Sequence, residues 1–350
     1  MFYKITFMCS VLTKRWSVKL TRLKYSLAFL PILSLTNSFA QEKPMPEVAW
    51  NGYTQLRLTS NINDVNSFAM RRMKLWVNSA PGFNEHWGFH LQTTISSNQN
   101  EKFLLQDVEV SYQTKRFKIS LGQFVPQYSL ERFQPDFEIP LTERADVINA
   151  LIPDGTLGVR DIGTEVSYAG PDQKLQMWLG VFNGYGIKEY RLNNSGILLT
   201  QKSGVRLFKN HLFAGYSVMY RKADHLQLKS LLPDSIQFSG NDIRYNMFAQ
   251  FQSGKFEIQA EYLFADLENK TADGYYLLAT ITLSKNQIVA SWNQYNDLIE
   301  NTGDSPVIHL GYNYLINKDN LKILFDNGVQ LNRKSLQEYF ASIQFQLFFN

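Results

Sequence analysis

Residues 116–168 read RFKISLGQFVPQYSLERFQPDFEIPLTERADVINALIPDGTLGVRDIGTEVSY. The stretch opens as an alternating strand, with Phe117, Ile119 and Leu121 on one face and Lys118, Ser120 and Gly122 on the other, and it closes as another over Ile162–Tyr168. Period two sends successive side chains to opposite sides of a pleated ribbon. Between the ribbons lies a connection of roughly thirty residues with four prolines, whereas links beyond about 12–15 residues are uncommon and usually functional.

Working outward, the same alternation recurs on both sides. It precedes the long connection at 49–59, 67–78, 86–97, 103–113 and 116–123, and follows it at 158–168, 174–182, 201–208, 211–222, 241–253, 255–266, 273–284, 286–296, 306–315, 320–331 and 338–349. Helical spacing would mix the two side-chain sets, and alternation sorts them. The count predicts sixteen strands, an even number, as single-chain bacterial barrels have. Most runs are long enough to cross a bilayer at a tilt, which takes about 9–11 residues.

Links supply a second signal. Even-numbered ones are tight, as at Thr114-Lys115, Lys209-Asn210, Gly254 and Lys285, while every long one is odd-numbered: the central stretch, Asn183–Thr200, Ala223–Gly240 and Asp297–Ser305. Short turns on one rim and longer loops on the other belong to a transmembrane barrel. A soluble sandwich has no reason to keep that rhythm. The predicted fold is therefore all-β, a sixteen-stranded antiparallel transmembrane β-barrel over 49–350, whose last strand, ending FQLFFN, closes on the first.

Composition agrees. Aromatic residues make up 14%, with 18 Tyr and 25 Phe. On the apolar faces Trp50, Trp87, Tyr112, Tyr168, Tyr216, Tyr220, Tyr262, Tyr312, Tyr314 and Phe349 lie near strand ends, where rings with a polar tip suit the lipid–water boundary of an outer membrane. The formal charge of +4 does not mark a nucleic-acid binder: Lys4, Lys14, Arg15, Lys19, Arg22 and Lys24 fall in the first forty residues without one acid, and the remainder is slightly acidic. Those residues have a basic stretch, the apolar run Tyr25–Leu35 and small residues at Ser38 and Ala40, the three parts of a secretory signal peptide over 1–40. A short polar segment, 41–48, precedes the first strand. The one cysteine, Cys9, lies in the leader, so a mature chain has no thiol or disulfide chemistry.

The opposite, polar faces collect Arg57, Arg72, Lys74, Lys118, Arg206, Arg221, Arg244 and Lys322, with Asp107, Glu109, Asp161, Glu165, Glu257 and Glu261. Charges around a water-filled lumen set ion preference at its narrowest point. Arg132, Arg144 and Arg160, in or beside the long link, are the constriction candidates. Two readings stand for them: they face the passage, or they pair with the adjacent Glu131, Glu143 and Asp161 and pin the link. Strict alternation puts Arg71 on the lipid face unless it lies at the rim, where its cost falls to about 0–1 kcal/mol. The histidines His86, His90, His211, His225 and His309 show no nucleophile-elbow or metal spacing, so the residues predict neither an enzyme nor a metal or cofactor site.

The motifs MRRMKLWVNS (70–79), LQDVEVSY (105–112), FKISLGQFVPQYSLER (117–132), Thr142-Glu143-Arg144 and LGVRDIGTEVSY (157–168), in this order, resemble the phosphate-selective porin O and P family of bacterial outer membranes. That resemblance implies a trimeric, sixteen-stranded porin in a Gram-negative outer membrane, its long third loop folded inward, passing phosphate and other small anions along arginines and lysines. The family's Arg-Arg-x-basic pattern falls on Arg71, Arg72 and Lys74, and its S-L-E-R arginine on Arg132. Passive diffusion of hydrophilic solutes is the leading expectation, and a plugged structural or adhesive barrel is the alternative.

Overall fold

The computed structural model describes residues 48–61, 64–96, 102–154, 159–187, 196–298, 306–332 and 335–349. The leader expected at 1–40, and all but the last residue of the segment at 41–48, lie outside these. Sixteen strands run in chain order: β1 (Val48–Asn61), β2 (Asp64–Ser79), β3 (Trp87–Ser96), β4 (Lys102–Gln113), β5 (Phe117–Phe124), β6 (Asp161–Ala169), β7 (Leu175–Phe182), β8 (Ile197–Leu207), β9 (Leu212–Leu226), β10 (Phe238–Ser253), β11 (Phe256–Leu267), β12 (Lys270–Leu283), β13 (Asn286–Asn296), β14 (Val307–Asp319), β15 (Leu321–Asn332) and β16 (Ser335–Phe349).

Each strand pairs antiparallel with its sequence neighbours, and β16 returns to β1 with Gly52 opposite Phe349 and Leu56 opposite Phe345. The sheet therefore has no edge, which is what an element surrounded by lipid requires, since lipid offers no partner to an unpaired backbone donor. All sixteen expected strands are present. Some run farther than the alternation suggested: β8 begins at Ile197 rather than 201, and β9 and β10 continue to a pair at Leu226 and Phe238, shortening both links. The added residues are paired backbone whose side chains no longer alternate apolar with polar, so the pattern ended before the ladder did.

Alternation sorts exposure the opposite way from a soluble protein. Along β10, Tyr245 is 46% exposed and Met247 66%, whereas the intervening Arg244 and Asn246 are 0% and 1% exposed. Leu56, which a two-sheet sandwich would bury, is 50% exposed. Apolar side chains outward and polar ones inward is the arrangement of a barrel set in a bilayer.

Residues 125–160 join β5 to β6. A 3-10 turn spans Glu131–Phe133, and a short helix, α1 (Asp146–Leu151), follows. Asp146 in the first turn favours α1, and Ile152, pushed to extended backbone ahead of Pro153, ends it. Val147, Ile148 and Leu151 are fully buried, packed in one cluster with Leu263, Ala265, Ala272 and Leu278. These strand residues lie on the face that elsewhere is polar, so the sequence of β11 and β12 is apolar there because α1 covers it.

Gly122 in β5 has φ +131°, and a Cβ added to it would lie 2.1 Å from the carbonyl oxygen of Val108. Only glycine accepts that backbone without strain. Gly122→Ala is expected to cost about 1–3 kcal/mol, read as a lower temperature at which the folded barrel loses its compact migration in detergent gels.

Candidate functional site

The site begins with an irregularity. Gln55 of β1 faces Arg72 of β2, and the next residue, Leu56, faces Met70, so Arg71 is the extra residue of a β-bulge. A bulge turns two consecutive side chains to nearly the same side. This overturns the expectation of Arg71 on the lipid face: Arg71 and Arg72 both reach carboxylates of the β5–β6 link. A second bulge in β4 leaves Gln106 between the Leu105–Thr93 and Asp107–Gln92 pairs and aims Gln106 and Asp107 together at Arg160.

Two carboxylates of the link organise the cations. Asp136 accepts from Arg72 at 2.6 Å, from Arg144 at 2.7 Å and from Lys74. Burial opposes its charge, but Lys74, Arg72 and Arg144 hold its carboxyl well below the usual range. Glu143 accepts the forked guanidinium of Arg71 at 2.7 and 2.9 Å and that of Arg57 at 2.7 Å. Burial again works against ionisation, yet the hydrogen bond and charge of Arg71, with Arg57 and Arg72, hold Glu143 at about 2. The pairing of each arginine with the adjacent acid does not occur. Arg144 takes Asp136 instead of Glu143, and Arg160 takes Asp107 at 2.6 Å instead of Asp161. Glu131 accepts from the Ala145 amide at 3.3 Å.

Arg132 is different. Among the described residues it forms no ion pair, and its buried Nε has no hydrogen-bond partner. Burial and the neighbouring Arg144 push its pKa down to about 9, so it stays charged at neutral pH.

The remaining candidates stand apart. Lys118 pairs with Glu109 at 2.6 Å, and Arg206 lies 4.8 Å over the ring of Phe213 beside the β8–β9 turn. Arg221, Arg244 and Lys322 donate to carbonyls of the link: Arg221 to Asp154, Arg244 to Ile152 at 2.7 Å and Leu151 at 3.2 Å, and Lys322 to Ile139 at 3.4 Å. Arg244 thus satisfies carbonyls that the end of α1 leaves open. Lys202, not singled out from sequence, donates to the Ser129 carbonyl at 2.6 Å. Opposite it, Glu261 accepts from the amides of Leu130 at 2.9 Å and Glu131 at 2.7 Å. These contacts cover the polar faces of strands from β8 to β16 with residues 128–154.

Across from that covered side, open space follows the polar faces of β2 to β5. A cavity of about 460 Å³ is lined by Arg71, Arg72, Lys74, Gln106, Arg132, Asp136 and Arg160. A second, of about 500 Å³, shares Lys74, Arg132, Asp136 and Arg160 with it and reaches Glu109, Lys118, Glu165 and Trp178. A third, also about 500 Å³, shares His90, Glu109 and Lys118 with the second and ends at Ser79 and Gln113, beside the short turns. Five cations and one carboxylate line the first cavity. The second has more nearly balanced charge.

The sequence matches the phosphate-selective porin O and P family over residues 47–338. The chain belongs to that family. It is an outer-membrane porin, and both family and fold are those of channels rather than enzymes. No curated protein sequence matches this porin. Among solved structures, OmpT of Vibrio cholerae in its trimer form superposes with a TM-score of 0.60 at 14% identity, covering 87% of this chain and 100% of that one. OmpF of Salmonella typhi in complex with daunomycin gives 0.64 at 12% identity, with 86% and 97% covered. A mutant porin of Rh. blastica gives 0.59 at 9%, with 87% and 100% covered. At these identities the likeness is one of fold.

Glu131 of the porin's long link titrates near neutrality. Burial drives the Glu131 carboxyl up to about 7; Arg144 pulls the other way and Glu261 pushes it further up. A raised acid favours the folded, protonated form, so its contribution is full below the unfolded value of about 4.3 and is lost as pH rises through about 7. Protection of the Leu130 and Glu131 amides against hydrogen exchange, corrected for intrinsic rate, is expected to fall between pH 6 and 8. In Glu131→Gln that dependence is expected to flatten.

Proposed function

We propose that this porin lets small hydrophilic solutes diffuse passively across the outer membrane and prefers anions such as phosphate. The β5–β6 segment is the third loop on the long-link rim, and in this reading it is folded into the lumen as the constriction. Its hydrogen bonds to inward side chains of β1, β2, β8 to β11 and β14 to β16 support this. The passage in this reading follows the three neighbouring cavities along β2 to β5, the first two meeting at their shared residues Lys74, Arg132, Asp136 and Arg160. Arg57, Arg72, Lys118, Arg144 and Arg206 complete the lumen charges, with Arg57 and Arg144 positioning the loop and Arg206 outside the narrow level.

The observation that carries anion preference is the lining of the first cavity, five cations against one carboxylate: Arg71 and Arg160 are paired with Glu143 and Asp107, Arg72 and Lys74 share Asp136, and Arg132 forms no ion pair among the described residues. A ring of like charge raises the local concentration of its counter-ion and excludes the co-ion. Phosphate as the preferred anion is suggested by the family's name and by the guanidinium of Arg132, which forms no ion pair among the described residues and can meet phosphate in a bidentate fashion, whereas Arg71, Arg72 and Arg160 already donate to Glu143, Asp136 and Asp107. Open space beside the polar faces of β2 to β5, where neighbouring cavities share lining residues, supports conduction over a plugged barrel. The leader at 1–40 would direct export, lipid would surround the apolar band, and the trimer form of the OmpT relative supports a homotrimer.

Purified protein added to planar bilayers tests the reading. Discrete conductance steps in KCl, with chloride current reduced by millimolar inorganic phosphate, are expected. A silent bilayer would favour the plugged barrel.

A further inference from the structure

The second cavity carries a feature that a bare inorganic anion does not use. Trp76 of β2 and Trp178 of β7 lie on the faces that are otherwise polar, and both line this space with Phe133 and Phe137 of the link. The rings of Trp76 and Phe137 are parallel within 5°, with centroids 6.3 Å apart, and Tyr53 meets Phe137 edge-on at 5.5 Å. Trp178 and Phe133 flank Lys202, whose Nζ lies 5.3 and 5.0 Å from their centroids. Trp76, Phe133, Phe137 and Trp178 all keep part of their surface open to the cavity.

Apolar rings left against water cost free energy that polar side chains at the same positions would not. Fully hydrated phosphate recovers none of it. The same cavity is lined by Lys74 and Arg160, paired with Asp136 and Asp107, and by Arg132, which forms no ion pair among the described residues, and its volume of about 500 Å³ lies within the range of small-molecule sites. A cationic lining joined to an aromatic wall is complementary to a solute with an anionic group and a flat apolar face, because rings stack on faces while guanidinium and ammonium groups take the charge.

We propose that the second cavity is a binding subsite for organic anions bearing a planar face. The phosphate or carboxylate lies on Lys74, Arg132 and Arg160, and the face lies against Trp76 and Trp178. The inference rests on the anion-conducting reading and names the class of solute that reading leaves open. Unlike the first cavity, which serves any small anion, this one discriminates by the body that carries the charge.

The test uses the mature protein in planar bilayers and the concentrations at which inorganic phosphate, phenyl phosphate and n-butyl phosphate halve the chloride current. Phenyl phosphate is expected to act at about tenfold lower concentration than inorganic phosphate, equivalent to ~1.4 kcal/mol, with n-butyl phosphate close to inorganic phosphate. The ratio of phenyl to inorganic phosphate is expected to fall towards one in Trp76→Ala and in Trp178→Ala. Equal block by phenyl and inorganic phosphate overturns the subsite and leaves the anion reading standing. Block by n-butyl phosphate matching phenyl phosphate overturns the stacking and needs no variant to fold. A current carried by potassium and insensitive to all three overturns both.

Discussion

Replacing Arg132 with alanine is expected to lower the chloride-to-potassium permeability ratio on the order of fivefold, the ~1 kcal/mol that a unit charge exerts at 4 Å in a watery passage. The effect is large because this guanidinium forms no ion pair among the described residues, the carboxylate of Asp136 acting on it only from beyond contact. Arg132 also borders both of the first two cavities. Arg132→Glu, which changes the local charge by two, is expected to bring the ratio near or below one. Arg144 is equally basic and nearby but should behave otherwise. It donates to Asp136 and to the Gln134 carbonyl, each at 2.7 Å, and to the Glu131 carbonyl, so its charge is spent within the loop. Arg144→Ala is expected to give noisy, unequal conductance steps with a smaller change in selectivity. Identical selectivity losses in the two alanine variants would remove the distinction drawn between a free and a bound arginine.

Asp136→Ala is expected to have the largest structural effect. Its carboxylate holds Arg72 and Lys74 of β2 together with Arg144 of the loop, and its side chain is 8% exposed. Removing one partner from a buried ionic cluster leaves the others uncompensated and costs about 3–5 kcal/mol. The closed ladder of sixteen strands does not depend on Asp136, so the loss is expected as detachment of the loop: single-channel conductance rises, and trypsin cleaves within residues 128–152. Acid should reproduce this only at the extreme. Both Asp136 and Glu143 have depressed folded-state values, Glu143 at about 2. Their contribution is present above the unfolded carboxylate range near 4 and is lost as pH falls through the folded value, so the loop should stay attached down to about pH 3. Detachment already at pH 5 would show that the two carboxylates do not anchor it.

The strands were legible because each had to present lipid with one face and water or the loop with the other, and period two records that demand residue by residue. The long link was legible as an interruption of the same rhythm. Arg71 was misread for the converse reason: a bulge inserts one residue and shifts the phase, and nothing in MRRMKLWV marks which residue is extra. Ion partners were also beyond reach. Arg144 has Glu143 beside it yet reaches Asp136, and Arg160 has Asp161 beside it yet reaches Asp107, 53 positions away. Adjacent residues on extended chain point apart, so sequence proximity is a poor guide to pairing there. The apolar inward residues Leu263, Ala265 and Leu278 were a signal not taken up, since they mark where α1 packs. Lys202 gave no sign, because its role depends on the Ser129 carbonyl and on rings brought from three separate segments.

The central claim is that one side of a closed barrel is filled by its own loop and the other is left as a cation-lined passage. The most direct measurement is the reversal potential of the purified wild-type protein in a planar bilayer with a tenfold KCl gradient. The account predicts the sign set by chloride moving down its gradient in preference to potassium. A potential of the opposite sign, from conductance steps of the same protein, would contradict it.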